Sequence, residues 1–391
     1  MRGLSAGGFP LVAVTREGAA IPGEAEAAAR LLVRGWQRVH VRKPGAPDEA
    51  VEAFVGGIPA ELRHRLTFHD HFHLAARLGV GGVHLNSRNP APPAGWRGMV
   101  SASCHSLGEV ERWRGKVDYM FLSPVYDSFS KPGYRGVFHS VGAEEGTLLG
   151  PDVLALGGVT PARLPELRRL GFGGAAMLSA AWEPLAAESD TALQFITDRA
   201  EGLEETLRGG CRWVQLRMKD ASDEEFAAEA MAVGRLCRAY GAVFILDDRV
   251  GLVEPLGADG VHVGKNDMPV AEARRVLGPV RIIGATANTP AEAAAAAEAG
   301  ADYLGVGPYR FTTTKKNLAP ILGAEGIGEA VAAARRVVPG IPVVAIGGIG
   351  PADLPGIRAT GVTGVALSGV ILNSEDKTKK TKEILDIWKN L

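Results

Sequence analysis

At 391 residues, with 46% hydrophobic and 22% charged side chains, the chain is longer than one ordinary hydrophobic core organises, so two domains are expected. A formal net charge of −1 offers no basic field for nucleic acid, no run approaches the length of a membrane span, and the first residues lack the apolar core of a signal peptide. The three cysteines, Cys104, Cys211 and Cys237, are widely spaced with no CxxC pair, which argues against a disulfide framework or a zinc site and for a cytoplasmic location.

Taken in order, short apolar runs alternate with helix-patterned segments. Strands are expected at Leu11–Val14, Arg38–Val41, Leu66–Phe68, Gly82–Leu85, Met99–Ala102, Tyr119–Leu122, Val153–Leu156 and Ala175–Leu178. The pattern then repeats at Gln194–Ile196, Trp213–Leu216, Val243–Leu246, Gly260–Val263, Arg281–Ile283, Tyr303–Gly305, Val343–Ile346 and Gly364–Leu367. Eight β/α units in each half predict an α/β chain of two tandem (β/α)8 TIM barrels rather than an open sheet, spanning residues 1–189 and 190–391 with the join near Ser189-Asp190. Lys377–Leu391 reads as a closing amphipathic helix with Ile384, Leu385, Ile387 and Trp388 on its apolar face.

The halves answer each other residue by residue, as a tandem duplication would. Gly82-Val83-His84-Leu85 matches Gly260-Val261-His262-Val263, His69-Asp70 matches Asp247-Asp248, and Gly157-Gly158 matches Gly347-Gly348. In such barrels the loops at the C-terminal ends of the strands do the work, and those after strands seven and eight commonly cradle phosphate. Gly347-Gly348 and Leu367-Ser368-Gly369 occupy those places, where glycine lets backbone amides approach phosphate oxygens. The loop after strand six, Gly307-Pro308-Tyr309-Arg310-Phe311-Thr312-Thr313-Thr314-Lys315-Lys316-Asn317, supplies hydroxyls and cations; by itself it suits a solvated loop as well as a phosphate clamp.

Period-two geometry puts Gln215, Arg217 and Lys219 on one face, leading into the mouth. Asp247-Asp248 and Asp267 follow neighbouring strands, and two carboxylates there suit a hard cation such as Mg²⁺ bridging phosphate oxygens; each alone would be read as a cap or a surface ion pair. His262 and its twin His84 sit mid-strand and are expected to be hydrogen-bonded barrel histidines. His69, His71 and His73 alternate along one strand end, where a single ligand or an ordinary mouth lining is expected rather than three ligands of one ion.

These residues carry a resemblance, over about 193–391, to the thiamine phosphate synthase family: Gln215-Leu-Arg217-Met-Lys219, Asp247-Asp248-Arg249, Gly260-Val-His-Val-Gly264-Lys-Asn-Asp267, Thr312-Thr-Thr314-Lys315-Lys316 and Ile346-Gly-Gly-Ile. The resemblance implies condensation of a hydroxymethylpyrimidine diphosphate with a thiazole phosphate to give thiamine phosphate and pyrophosphate. It implies that Gln215, Arg217 and Lys219 hold the pyrimidine diphosphate, with Asp247 beside it, and that Asp248 and Asp267 bind Mg²⁺. Thr286 stands where the family offers a serine; Lys315 meets pyrophosphate; Thr312, Thr314, Gly348, Leu367 and Ser368 meet the thiazole phosphate. Two departures are the aspartate at 247, where the family commonly has asparagine, and a shortened loop after the first strand of the second half. No protein nucleophile is required, and none stands out.

The first half departs further: Gln215 becomes His40, Lys219 becomes Pro44 and Asp267 becomes Asn89, while Arg42 persists and Ser128-Phe-Ser130-Lys131 keeps the hydroxyl–lysine spacing. Ser103-Cys104-His105-Ser106 resembles the thiazole tautomerase relatives of the synthase, which implies proton transfer by His105 during thiazole aromatisation; a structural histidine or an inactive duplicate fits the same residues. Two further readings of the whole chain are a non-catalytic binder of thiazole phosphate and another phosphate-barrel isomerase. The oligomeric state is left open, a homo-oligomer included.

Overall fold

Strands in a closed parallel barrel are covered on both faces, so they read as short apolar runs and must end where polar residues begin. The computed structural model describes residues 4, 8–18, 23–126, 149–182, 191–311 and 320–391. Its first closed barrel runs β1 (Leu11–Val14), β2 (Arg38–Val41), β3 (Leu66–Phe68), β4 (Gly82–Leu85), β5 (Met99–Cys104), β6 (Tyr119–Leu122), β7 (Val153–Ala155) and β8 (Gly174–Met177). Every neighbour is parallel, and β8 closes on β1 with Ala175 opposite Leu11.

The second barrel runs β9 (Leu193–Thr197), β10 (Trp213–Leu216), β11 (Val243–Asp247), β12 (Gly260–Val263), β13 (Ile282–Ala287), β14 (Tyr303–Val306), β15 (Val343–Ile346) and β16 (Gly364–Leu367). It closes with Val365 opposite Leu193. The chain is therefore the expected α/β pair of tandem TIM barrels. It divides into two compact units, Met1–Pro184 and Leu185–Leu391; the expected join at Ser189-Asp190 falls outside the described residues.

Each barrel interior is filled by inward side chains of alternate strands. Trp213, Ile245, Ile282, Tyr303, Val344 and Ala366 pack together inside the second barrel, and Val12, Val14, Tyr119, Phe121, Leu154 and Ala176 inside the first. Gly284 is required by this packing: a Cβ there would lie 2.1 Å from Cζ of Tyr303, so the absence of a side chain admits the phenol ring. The outer helices differ in length. Asp223–Tyr240 is an 18-residue helix opened by a capping box in which Ser222 and Glu225 satisfy each other's backbone amides, whereas Asp48–Gly56 has 9 residues and no side-chain cap. The C-terminal helix Lys377–Lys389 buries Thr381, Ile384 and Trp388, with Leu385 and Ile387 partly covered, as its sequence pattern predicts. No described helix is long and apolar enough to cross a membrane.

Candidate active site

The mouth of the second barrel gathers the polar ends of β10, β11 and β12. Arg217 Nε lies 3.3 Å and Lys219 Nζ 3.4 Å from Oδ2 of Asp247, so two of the three residues on the period-two face of β10 converge on the carboxylate that ends β11. The third, Gln215, is buried and hydrogen-bonds the Tyr303 hydroxyl. Burial pushes the Asp247 carboxyl up, and the charges of Lys219 and Arg217 oppose that.

Lys219 Nζ also donates to Oδ2 of Asp248. Asp248 holds φ at 64°, a left-handed conformation that among the described residues only His71 shares outside glycine. Such a backbone costs about 1–3 kcal/mol and persists only when its surroundings hold it; here the Asp248 amide donates to the carbonyl of His262 at 2.9 Å. Burial, then the charge of Asp247 and contact with Asp267, push the Asp248 carboxyl up to about 7 against the pull of Lys219. Asp267 is held low despite its own burial, by its hydrogen bond with Asp248 and by the Gly264 amide, which donates to Oδ2 at 2.9 Å.

Oδ1 of Asp248 is buried and accepts no hydrogen bond from any described residue. A buried carboxylate oxygen without a donor is costly unless something else satisfies it. With Asp267 beside it, this all-oxygen donor set fits a hard divalent cation that keeps several waters.

Below the carboxylates, Tyr303 accepts from Gln194 Nε2 at 3.0 Å and lies 3.0 Å from Nδ1 of His262, whose Nε2 is 2.9 Å from Oγ1 of Thr286. Burial raises the Tyr303 phenol, so it stays protonated and donates to Nδ1; Nε2–H of His262 then donates to Thr286. His262 is thus the hydrogen-bonded barrel histidine expected, and it orients the Thr286 hydroxyl.

At the opposite rim Gly347 and Gly348 take φ of 92° and 68°. A Cβ on Gly348 would lie 2.5 Å from Cγ of Arg310 and 2.7 Å from the carbonyl oxygen of Phe311, so only glycine admits this close approach of the loop after β14. Arg310 N donates to Gly347 O at 3.1 Å, and its guanidinium pairs with Asp353 at 2.5 Å. Leu367 ends β16, and Ser368 precedes the short helix Gly369–Leu372. Thr312, Thr314 and Lys315 lie outside the described residues, as do Ser128, Ser130 and Lys131 of the first half.

The first barrel has a mouth of another character. A cavity of about 670 Å³ is bordered by Arg42, His69, Ser103, His105, Phe121 and Gly157, among others. Arg42 pairs with Glu17 and Arg88 with Asp70, while Asn89, in the place of Asp267, donates to the carbonyl of His69 at 3.1 Å. His71 and His73 both turn to Asp48, at 2.8 and 2.7 Å, and leave His69 alone in the interior. The alternating histidines therefore do not converge on one point: two face Asp48 and the third faces the barrel interior.

The family model described as Thiamine monophosphate synthase matches residues 11–181 and again 189–371. The chain belongs to the thiamine monophosphate synthase family. Its activity is that of a thiamine-phosphate synthase, an enzyme of thiamine biosynthesis. The thiamine-phosphate synthase of Bacteroides fragilis is 54% identical over 201 residues, covering 50% of this chain and 98% of that protein. That of Flavobacterium psychrophilum is 41% identical over 181 residues, covering 46% of the chain and 88% of the relative. Among solved structures, a thiamine phosphate pyrophosphorylase from Pyrococcus furiosus is 35% identical, covers 52% of this chain and 98% of its own, and superposes with a TM-score of 0.47.

Sequence reasoning missed three features. Gln194 and Tyr303 join the site through the His262 network; each is inward by strand register, and a polar side chain in an otherwise apolar strand was the available signal. Asn288 Nδ2 donates to the carbonyl of Gly307 and so anchors the loop after β14. In the first barrel, His40, His69 and His84 come together, which only the closure of the barrel reveals.

Proposed function

We propose that the second barrel carries the condensation and that its substrates are the pyrimidine diphosphate and the thiazole phosphate. The observation that carries this reading is the constellation of Arg217, Lys219, Asp247, Asp248 and Asp267 at one mouth, present in this half and dismantled in the other.

Departure of pyrophosphate from the pyrimidine methylene leaves negative charge on the leaving group and positive charge on the carbon. Catalysis consists of stabilising the former, orienting the thiazole nitrogen and excluding water. Asp248 and Asp267 would hold Mg²⁺, which when bound neutralises diphosphate oxygens. Lys219, on a flexible four-carbon stem and 42% exposed, is the cation able to leave its carboxylates and follow the diphosphate, while Arg217 remains to balance Asp247. Gln215 and the Thr286 hydroxyl, both held by the tyrosine–histidine network, fix the pyrimidine. The amides around Gly348, Leu367 and Ser368 take the thiazole phosphate, with Thr312, Thr314 and Lys315 completing the span between the two phosphates. A cytoplasmic enzyme is the fitting setting for three free, buried cysteines.

The test supplies the full chain with both substrates and Mg²⁺ and follows pyrophosphate release. No product from folded protein would sink the reading.

For the first barrel we propose thiazole tautomerase activity, because His105 borders the cavity and its tautomer is set. Nδ1 lies 3.0 Å from the carbonyl of Ser123 and must donate to it, which leaves the lone pair on Nε2 as an acceptor with no partner among the described residues. His105→Ala should abolish aromatisation of the thiazole carboxylate while pyrophosphate release by the second barrel continues; retention of aromatisation would remove His105 from the step.

A further inference from the structure

The three buried histidines of the first barrel are close enough to suggest a metal centre, with one ligand atom of each within 4.8 Å of the others. Their orientations exclude it. The rings of His69 and His84 stack with centroids 4.1 Å apart and planes 19° from parallel, so their in-plane lone pairs run side by side and do not converge on one ion. Nδ1 of His40 and Nε2 of His69 face each other at 2.8 Å with no room between them for a metal.

They form instead a directed chain of hydrogen bonds. Tyr119 is fully buried, and burial raises its phenol, so the hydroxyl keeps its proton. It lies 2.5 Å from Nε2 of His40 and can donate there. His40 then carries its proton on Nδ1 and donates to Nε2 of His69. That leaves the His69 proton on Nδ1, the ring nitrogen that takes no hydrogen bond from any described residue, in a ring that borders the cavity. His84 does not compete for the chain, because Ser101 and Ser103 hold its two nitrogens at 2.8 Å each. Burial, chiefly, holds His40, His69 and His84 below the ordinary histidine range, so all three are neutral near pH 7. The groups facing His69 are His40, His84 and the guanidiniums of Arg42 and Arg88, all of which disfavour a charge on it. Glu109 faces His105 through that residue's backbone N–H.

We propose that His69 is a second catalytic group of the first barrel, a neutral imidazole whose Nδ1–H stabilises the anion formed when His105 removes a proton from the ligand. The inference rests on the tautomerase reading and deepens it. Nε2 of His105 takes the proton from one carbon of the non-aromatic thiazole phosphate carboxylate, and the C–H electron pair passes into the conjugated ring. Nδ1–H of His69 donates a hydrogen bond to that delocalised charge and keeps its own proton. The His105 imidazolium then returns a proton to a second carbon, which completes an isomerisation with no change of redox state and both histidines restored. Tyr119 and His40 act as positioning residues, since they decide which nitrogen of His69 bears the proton. The second barrel has Gln215 and Asp247 at these positions and cannot offer the same donor.

The test follows aromatisation of the non-aromatic thiazole phosphate carboxylate by absorbance in the full chain, with calorimetric binding of the aromatic product as the check that each pocket is intact. His69→Gln should lower kcat by about 100-fold with KM within about twofold, the scale of losing one preorganised donor. Tyr119→Phe, which keeps the ring but frees the tautomer of His40, should lower kcat by about tenfold with product binding unchanged. A wild-type chain that does not aromatise the probe overturns the tautomerase reading and this inference with it. An active wild type, a dead His105→Ala and a His69→Gln variant within threefold of wild type overturn the inference alone. A rise in KM with kcat retained also overturns it, by making His69 a binding residue. If His69→Gln fails to fold, Tyr119→Phe turning over at the wild-type rate is the overturning result.

Discussion

At the base of each mouth a tyrosine on the sixth strand meets a histidine: Tyr303 with His262 in the second barrel, Tyr119 with His40 in the first. The histidine comes from the fourth strand in the second barrel and from the second strand in the first, and around the tyrosine the two barrels make opposite electrostatic choices. The second buries a carboxylate at the end of its third strand, and Asp247 then needs Arg217 and Lys219 within 3.3 and 3.4 Å. The first places His69 there, a neutral ring that needs no counter-charge, and the lysine position has become Pro44. Arg42, still present, turns to Glu17 instead. One exchange of a carboxylate for an imidazole thus explains several others, and it separates a mouth suited to cations and diphosphate from one suited to moving protons.

The largest effect should come from removing a carboxylate of the proposed metal pair in the second mouth. Asp248→Asn keeps the side-chain shape and the tolerance for left-handed backbone, so the fold should survive, while pyrophosphate release falls by about a thousandfold. An unchanged Mg²⁺ dependence of the residual rate would detach Asp248 from metal binding and leave Asp267, which the first barrel replaces with Asn89, without its partner in the comparison. Next is Lys219→Ala, expected to cost about a hundredfold in kcat/KM for the pyrimidine diphosphate. Part of that loss comes from leaving Asp247 with Arg217 as its one remaining cation among the described residues. Steady-state kinetics on both substrates check it, and an effect confined to the thiazole phosphate would break the assignment.

The contrast also predicts different acid sensitivities. His84 is pushed down to about 3 from 6.5. Below pH 6.5 the unfolded chain therefore binds a proton that the folded barrel refuses, and the stability this represents is lost as pH falls toward 3. At pH 5 His84 alone should cost about 2 kcal/mol, with His40 and His69 acting in the same direction. Scanning calorimetry at pH 7 and pH 5 should show one transition move down strongly, the one that Mg²⁺ with pyrophosphate does not raise. Equal movement of both transitions would place the buried imidazoles elsewhere in the balance.

The sequence made the scaffold legible because barrel strands are short apolar runs bounded by turn residues, and nearly all sixteen were read within a residue or two. β13 was the exception. It was expected at Arg281–Ile283 and extends over Ile282–Ala287, because Thr286 looks like a loop residue until His262 is seen to satisfy its hydroxyl inside the strand. The convergence of Arg217 and Lys219 was legible from period two alone. The histidine chain was not. His40, His84 and Tyr119 lie on three different strands and His69 just past the end of a fourth, and which of them touch depends on register and closure, which local patterns do not encode.

The smallest predicted effect concerns the part of the mouth where the two barrels agree. Both carry a glycine pair after the seventh strand, with φ of 95° and 62° at Gly157 and Gly158 and 92° and 68° at Gly347 and Gly348. In Gly348→Ala the new methyl would press on Cγ of Arg310 and the carbonyl of Phe311, and an alanine also resists the positive φ. The loop after β14 should shift by a few tenths of an ångström, enough to raise KM for the thiazole phosphate about tenfold with kcat nearly kept, since the interaction serves bound substrate and transition state alike. The equivalent change at Gly158 should leave that KM where it was. If instead Gly158→Ala weakens thiazole phosphate in the condensation assay, the shared glycine pair belongs to one functional unit, and the division of labour drawn between the two mouths fails at that point.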